Sequence, residues 1–211
     1  MARKKTKTTA KKATAKKTVS KAEQRERTRA RLIALARDEF GKRGYTGVGT
    51  ERLVARAKLT RGALYHQFAD KRALFQAALE DAQGDIVAAI GRAVENAADD
   101  WSILRDGCHA FLREASRPEI RRIVLIDGPA VLGWSEWRRI DAANGIKELR
   151  EGLRVMMEKK VIKAAPLDAL TFMLSGAMND GALWIADADD TETALGRAME
   201  TMDMLLEGLR A

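Results

Sequence analysis

The chain has little of what several kinds of protein depend on. One cysteine, Cys108, in 211 residues leaves no partner for an internal disulfide and too few thiolates for a structural zinc site. That fits a reducing compartment, and its plain reading is a small buried apolar residue. Only two histidines, His66 and His109, offer an imidazole. There is no HExxH or CxxC spacing and no phosphate-cradling glycine loop, and Cys108 and His109, adjacent on an expected helix, point in different directions. An enzyme is therefore not expected, and neither is a cofactor or a metal. No apolar run approaches the roughly 18 residues of a membrane span, and the first residues lack the apolar stretch of a secretory signal. The expectation is a soluble, cytoplasmic chain with no membrane partner. With three prolines (Pro118, Pro129, Pro166) and little β-branched alternation, sheet is disfavoured and an all-α fold is expected.

Charge is abundant and unevenly placed. Residues 1–21 hold nine Lys/Arg and no acid, a charge of +9; residues 22–75 hold thirteen basic and six acidic residues, +7; residues 76–211 hold sixteen and twenty-four, −8. Together these give the net +8 of the whole chain. Such a split assigns the first third to a polyanion and the remainder to another task, with nucleic acid ahead of an anionic membrane surface as the partner. The opening MARKKTKTTAKKATAKKTVSK is low-complexity Lys, Thr and Ala with almost nothing to build a core, so residues 1–22 read as a disordered Lys-rich arm. It is either a flexible arm that neutralises phosphates or a solubilising tail.

Beyond the arm, helical periodicity is nearly continuous. Ile33, Ala36 and Phe40 mark one buried stripe on a helix over 23–43, closed by Gly41 and Gly44. Thr50 offers an N-cap to a second helix over 51–57 with Leu53, Val54 and Ala57 inward, and Thr60 caps a third over 61–68 with Leu64 and Phe68 inward. Two short helices joined by a tight turn make a helix-turn-helix, here within a DNA-binding domain over 23–75. The residues I33, A36, F40, GY at 44–45, T50, LVARA at 53–57, LTRGALY at 59–65, F68, K71 and L74 resemble the headpiece of the tetracycline-repressor (TetR) family over about residues 28–75. That resemblance implies a ligand-responsive transcriptional regulator, most often a repressor, that binds double-stranded DNA. Two positions depart from the family pattern: Lys58 stands at the turn where members usually carry Gly, and Gln67 precedes Phe68 where His is common. A lysine at the turn puts a side chain on a backbone expected to be left-handed.

A recognition helix must approach base edges closely, and Gly62 with Ala63 keep its first turn small. Arg61 beside them can bond O6 and N7 of guanine bidentately and is the leading base reader, with Thr60 and His66 as minor ones. Tyr65 resembles the family tyrosine that touches phosphate. Lys71 follows Asp70 at a helix start, where ammonium and helix N-terminus together attract phosphate, and Thr50 has the equivalent place on the second helix.

The body, 76–211, reads as a helical ligand-binding and dimerisation domain. A long helix over 70–96 leads into it, followed by helices over 101–116, 118–126, 134–160, 166–186 and 191–209, with a helix break at Gly128–Pro129. Trp101, Phe111, Trp134, Trp137, Phe172 and Met178 are large apolar residues, and His109, Asp127 and Asn179 are polar groups close to them in sequence. Together they form either a ligand site or an ordinary bundle core. Acids beside tryptophans suit a lipophilic cation. On the last two helices Leu167, Leu170, Leu174, Gly181 and Ile185, with Leu195, Met199, Met202, Leu206 and Leu209, recur at helical spacing. In the family two such helices pair with their symmetry mates, so a homodimer on a palindromic operator, released by a small lipophilic effector, is the expectation. A nucleoid-type architectural protein using its Lys-rich arm is the alternative.

If the arm meets phosphate, removing residues 1–21 lowers the slope of log K against log salt by about 0.9 for each phosphate that the arm neutralises, without changing the preferred sequence. Binding titrations between 50 and 200 mM salt, a range of about fourfold, read this; equal slopes for full-length and shortened protein return the arm to a solubilising tail.

Overall fold

The computed structural model describes residues 20–211, so the arm reading falls almost wholly outside the described residues. Among the described residues the chain is helical with no strand; an isolated bridge pairs Ile162 with Arg210. Helix α1 spans Lys21–Arg43, beginning two residues before the expected start. The reason is a capping box. Ser20 Oγ accepts the Glu23 N–H at 3.1 Å while the Glu23 carboxylate accepts the Ser20 N–H at 2.7 Å. Removing residues 1–21 takes this cap away with the arm, so a protein that begins at Ser20 is the shortened form that keeps α1 intact. The buried stripe is Leu32, Ala36 and Phe40, a four-residue spacing, and Ile33 sits half-buried at its edge.

Helix α2 spans Thr50–Ala57 and buries Leu53 and Ala57, with Val54 half-buried. Thr50 is its first residue and not its cap: the cap position belongs to Gly49, which makes no side-chain bond. The turn that follows is left-handed at Lys58, with φ 53° and ψ 44°, as its place in the motif requires. Helix α3, Arg61–Gln67, is capped by Thr60 Oγ1, which accepts the Ala63 N–H at 3.1 Å. Leu64 and Phe68 are buried against α1 and α4.

Helix α4, Lys71–Val94, starts at an Asp70 cap that accepts the Ala73 N–H at 2.7 Å. Its 24 residues reach about 36 Å. After it come α5 (Asp100–Ala115) and α6 (Pro118–Arg121). The chain then widens into a π-helical turn, Arg122–Asp127, and continues as α7 (Gly128–Leu132). The break expected at Gly128–Pro129 is therefore displaced to Gly133, whose φ of +78° only glycine adopts freely. Pro129 is accommodated because it sits in the first turn of α7, just past the π turn. It has no N–H for the carbonyls one turn earlier. One of them, Val124, accepts the indole N–H of buried Trp137 at 2.7 Å. Gly128 is fixed by contact: a Cβ there would lie 2.8 Å from both Leu79 Cδ1 and Trp137 Cδ1.

Helix α8 (Trp134–Asp141) runs through a second π turn, Ala142–Ile146, into α9 (Lys147–Glu158). Helices α10 (Leu167–Asp187) and α11 (Thr191–Glu207) finish the body. Leu174, Ile185, Met202 and Leu206, expected to face a partner, are buried inside this chain, and Gly181 faces Leu112 of α5. The apolar side chains left exposed on these helices are others: Phe172, Met173, Trp184, Met204 and Leu205. Helical periodicity marks both faces alike and does not say which one the remaining helices cover.

Two apolar clusters hold the molecule. One joins Leu32, Phe40, Leu53 and Leu64 of the first three helices to Leu74, Phe75 and Leu79 of α4 and to Ile120, Ile123 and Trp137 of the body. The other packs Leu112, Leu153, Met156, Met178 and Met202 between α5, α9, α10 and α11. The boundary drawn at residues 75 and 76 thus falls inside α4, in the middle of a shared core.

Trp137→Phe removes the donor to the buried Val124 carbonyl and some ring volume, and should destabilise the fold by about 1–3 kcal/mol. Urea unfolding checks this. An unchanged midpoint would show that the indole bond contributes nothing net.

Candidate nucleic-acid interface and internal cavity

Helix α3 divides cleanly. Leu64 is buried, while Arg61, Gly62, Tyr65 and His66 face solvent and Ala63 is half-buried. The Arg61 side chain is 66% exposed, 3.6 Å from Glu51 and 5.7 Å over the Tyr65 ring. Two weak restraints therefore aim a guanidinium outward without consuming it. Thr60 has its oxygen engaged as a cap and retains a hydroxyl proton to donate. Thr50 and Lys71, the first residues of α2 and α4, are both half-buried at helix N-termini. Lys71 Nζ rests 4.0 Å over the Tyr45 ring; burial lowers its pKa, and the nearby Asp127 carboxylate opposes that.

Beside the shared apolar core, α2 is held to α1 by an ionic clamp that periodicity did not reveal. Glu39 is a buried carboxylate, covered by the arginines that it binds, Arg52 and Arg56 of α2, with Arg43 of its own helix beside them. Its pKa is held below the ordinary glutamate value, chiefly by the Arg52 hydrogen bond and despite partial desolvation. The clamp is intact above the ordinary glutamate range and is lost as pH falls through the lowered value.

Tyr45 is the other headpiece residue whose role the residue pattern did not signal. Its ring lies 5.8 Å from Phe40 and 5.2 Å from Phe75, and its backbone N–H donates to Asp127 at 2.8 Å. Asp127, expected in the ligand site, is thus placed at the junction of headpiece and body. Arg72 of α4 makes a second link across it, donating to Leu132 O at 3.0 Å.

The body holds a cavity of about 350 Å³, partly open to solvent and walled by α4, α5, α9 and α10 with one residue each from the first π turn and α8 and two from the second π turn. Of the nine residues expected to bind a ligand, Phe111, Met178 and Asn179 line it. Trp134, Trp137 and Asn179 border a smaller cleft of about 210 Å³ nearby. Phe172 is exposed on α10, where Arg138 stacks 5.3 Å from its ring. Trp101 packs under Arg210 at 5.0 Å, and His109 pairs with Asp203 at 2.7 Å, both outside the cavity. The walls that the sequence did not point to include Ile86, Ile90 and Leu104, on helices where the apolar pattern signals burial without showing what the side chains face. Four glycines, Gly91, Gly107, Gly145 and Gly152, line the space and keep it open. Among the described residues no helix is long and apolar enough to cross a membrane, and no group of three or more acidic, histidine or cysteine side chains could hold a metal.

Residues 32–78 match the family model for bacterial regulatory proteins of the tetR family, and residues 101–209 match that for the tetracyclin repressor-like C-terminal domain. The chain belongs to the TetR family of transcriptional regulators. A TetR-family transcriptional regulator from Pectobacterium atrosepticum is 34% identical, with a TM-score of 0.76, over 91% of this chain and 98% of that one. RolR, solved in complex with resorcinol, shares the fold at 21% identity and a TM-score of 0.66, over 89% of this chain and 95% of its own. The Transposon Tn10 TetC protein of Escherichia coli is 23% identical over 145 residues, 69% of this chain and 73% of TetC. The matched stretch 32–78 holds α2 and α3, the helix-turn-helix of the family, and the stretch 101–209 is its C-terminal domain.

If Arg61 reads a base while Tyr65 of α3 and Lys71 of α4 hold phosphate, substitutions separate the two roles. Arg61→Ala should weaken operator binding roughly 5- to 150-fold per half-site and relax one base position. Tyr65→Phe or Lys71→Ala should weaken all sequences alike. Selection from a randomised operator library is the measurement, and an unchanged base preference for Arg61→Ala removes its role as reader.

Proposed function

We propose that this protein is a homodimeric repressor that binds a palindromic operator and is released from it by a small lipophilic effector. The observation that carries this reading is the path from cavity to headpiece. Val124 lines the cavity, and three residues on, in the same π turn, Asp127 holds the Tyr45 N–H in the loop before α2. Helix α4 runs in parallel with that path: Ile86 and Ile90 are cavity wall, while Leu74 and Phe75 are headpiece core. A ligand that widens the cavity therefore pushes on two elements that position α2 and α3. A few degrees of tilt along about 36 Å displaces a recognition helix by ångströms, enough to spoil a two-groove fit.

Dimerisation is supported by the exposed Phe172, Met173, Trp184, Met204 and Leu205, more large apolar side chains than two adjacent helices ordinarily leave in water. One short recognition helix also reads too few base pairs alone, so two copies must act together on half-sites related by the same symmetry. RolR supports a small-molecule effector only through the shared fold. An architectural protein has no use for a largely apolar cavity in its body, which favours the repressor reading over the nucleoid alternative.

The test is sedimentation together with footprinting upstream of the protein's own gene and its divergent neighbour. A dimer and a protected dyad are expected, and Met204→Asp with Leu205→Asp should give a monomer that protects neither half-site. An effector should lower operator affinity by about 5- to 150-fold, and the operator should lower effector affinity by the same factor. A monomeric wild type, protection without a dyad, or a bound effector that leaves operator affinity untouched overturns the reading.

A further inference from the structure

The cavity has a sign. Asp141 and Glu148 face it from the α8–α9 side, and no Lys, Arg or His lines it among the described residues. Cys108, the remaining titratable group of the lining, is buried in apolar surroundings that push its thiol up to about 12, so it stays neutral. We propose that the occupant is an organic cation, an apolar body with one protonated amine that contacts Asp141. This rests on the cavity being the effector site.

Asp141 has room for such a partner. Its two oxygens are met by Arg138 Nη1 at 3.3 Å and by Gln83 Nε2 at 3.4 Å, both at the long end of hydrogen bonding. Arg138 does not depend on Asp141 for its place, since its guanidinium lies 5.3 to 5.6 Å from the rings of Trp134, Trp137 and Phe172. Burial raises the Asp141 carboxyl above the ordinary aspartate value, and the Arg138 contact only partly offsets it. An ammonium beside it supplies the missing compensation. Glu148 is exposed and adds a second negative charge at the rim. Opposite, Ser175 Oγ and the Asn179 side chain line the space and make no side-chain hydrogen bond among the described residues, so both remain free to meet the occupant.

The rest of the wall is apolar, with Ile86, Ile90, Leu104, Phe111 and Met156 prominent, and it takes a hydrocarbon or aromatic body. An anion would enter among two carboxylates with no cation in the wall, since Arg138 lies behind Asp141 and is already turned to it. A neutral molecule would gain hydrogen bonds alone. The tryptophans that first suggested a cation lie outside the cavity, while the acids that set its sign lie within it.

Three probes share one apolar body and differ in charge: 4-phenylbutylamine, 4-phenylbutan-1-ol and 4-phenylbutyrate. Calorimetry on the full chain near pH 7 should find the amine bound about tenfold more tightly than the alcohol, and the carboxylate not at all. Asp141→Asn should narrow the amine-to-alcohol ratio to about twofold, and Glu148→Gln, on the surface and safe for folding, should narrow it less. A Cβ at Gly152 meets nothing within 4 Å, so Gly152→Leu starts its side chain in open space at the cavity wall and should block every probe that binds, with circular dichroism reporting the fold. If the alcohol or the carboxylate equals the amine and Gly152→Leu abolishes their binding, the ligand class is wrong and the cavity site stands. If no probe binds, or Gly152→Leu changes nothing, the cavity reading fails with it.

Discussion

Helix α4 belongs to two environments at once, and the rest of the molecule is arranged around that constraint. Its first half packs Leu74, Phe75 and Leu79 into the core that anchors α1, α2 and α3. Its second half presents Ile86 and Ile90 to an open space. A helix transmits displacement because its hydrogen-bonded backbone resists bending over this length. The same helix that makes the headpiece rigid therefore makes it answerable to the body. The absence of a packing gap at residues 75 and 76 is what gives the arrangement force: with a flexible linker there, a change in the cavity would dissipate before it reached α2.

The π turn at Arg122–Asp127 serves the same end by another means. Its wider backbone allows Val124 to face the cavity while Asp127 reaches the Tyr45 N–H. Its hydrogen bonding is weaker than that of an α-helix, and Pro129 removes one further donor. Trp137 and the close contact at Gly128 steady it from the side. Such a segment is more readily rearranged than the helices around it, which suits a position between the cavity and the helix-turn-helix. The Glu39 clamp is the counterweight, since it binds α2 to α1 and keeps the helix-turn-helix moving as one body.

An open cavity costs the fold packing energy, because lining atoms lack neighbours on one side. Four glycines in the lining decline to fill it, and of the two carboxylates that face it Asp141 has only the long Arg138 contact at 3.3 Å to offset its burial. Both features run against stability, and an occupant of the kind proposed would offset that cost.

Much of the fold was legible in residue order. Capping residues, glycine punctuation and the 3.6-residue period place the helices to within a few residues, because each depends on contacts within one turn. Ser20 and Glu23, Thr60 and Asp70 act locally as their spacing implies, and Arg61 and Tyr65 face solvent because Leu64 does not. What a buried side chain faces is a different matter. Leu174 and Met202 pack inside this chain while Met173 and Met204 are exposed, although all four lie on helices of the same pattern. Asp127 meets Tyr45 across 82 positions, Gln83 meets Asp141 across 58, and Trp101 and His109 are drawn to Arg210 and Asp203 near the far end of the chain. The sequence by itself determined the helices, the basic headpiece and the residues that one turn can bring together. Only tertiary structure decided which faces meet, where the cavity lies and which charges line it, because those contacts join residues whose separation along the chain carries no periodic signal.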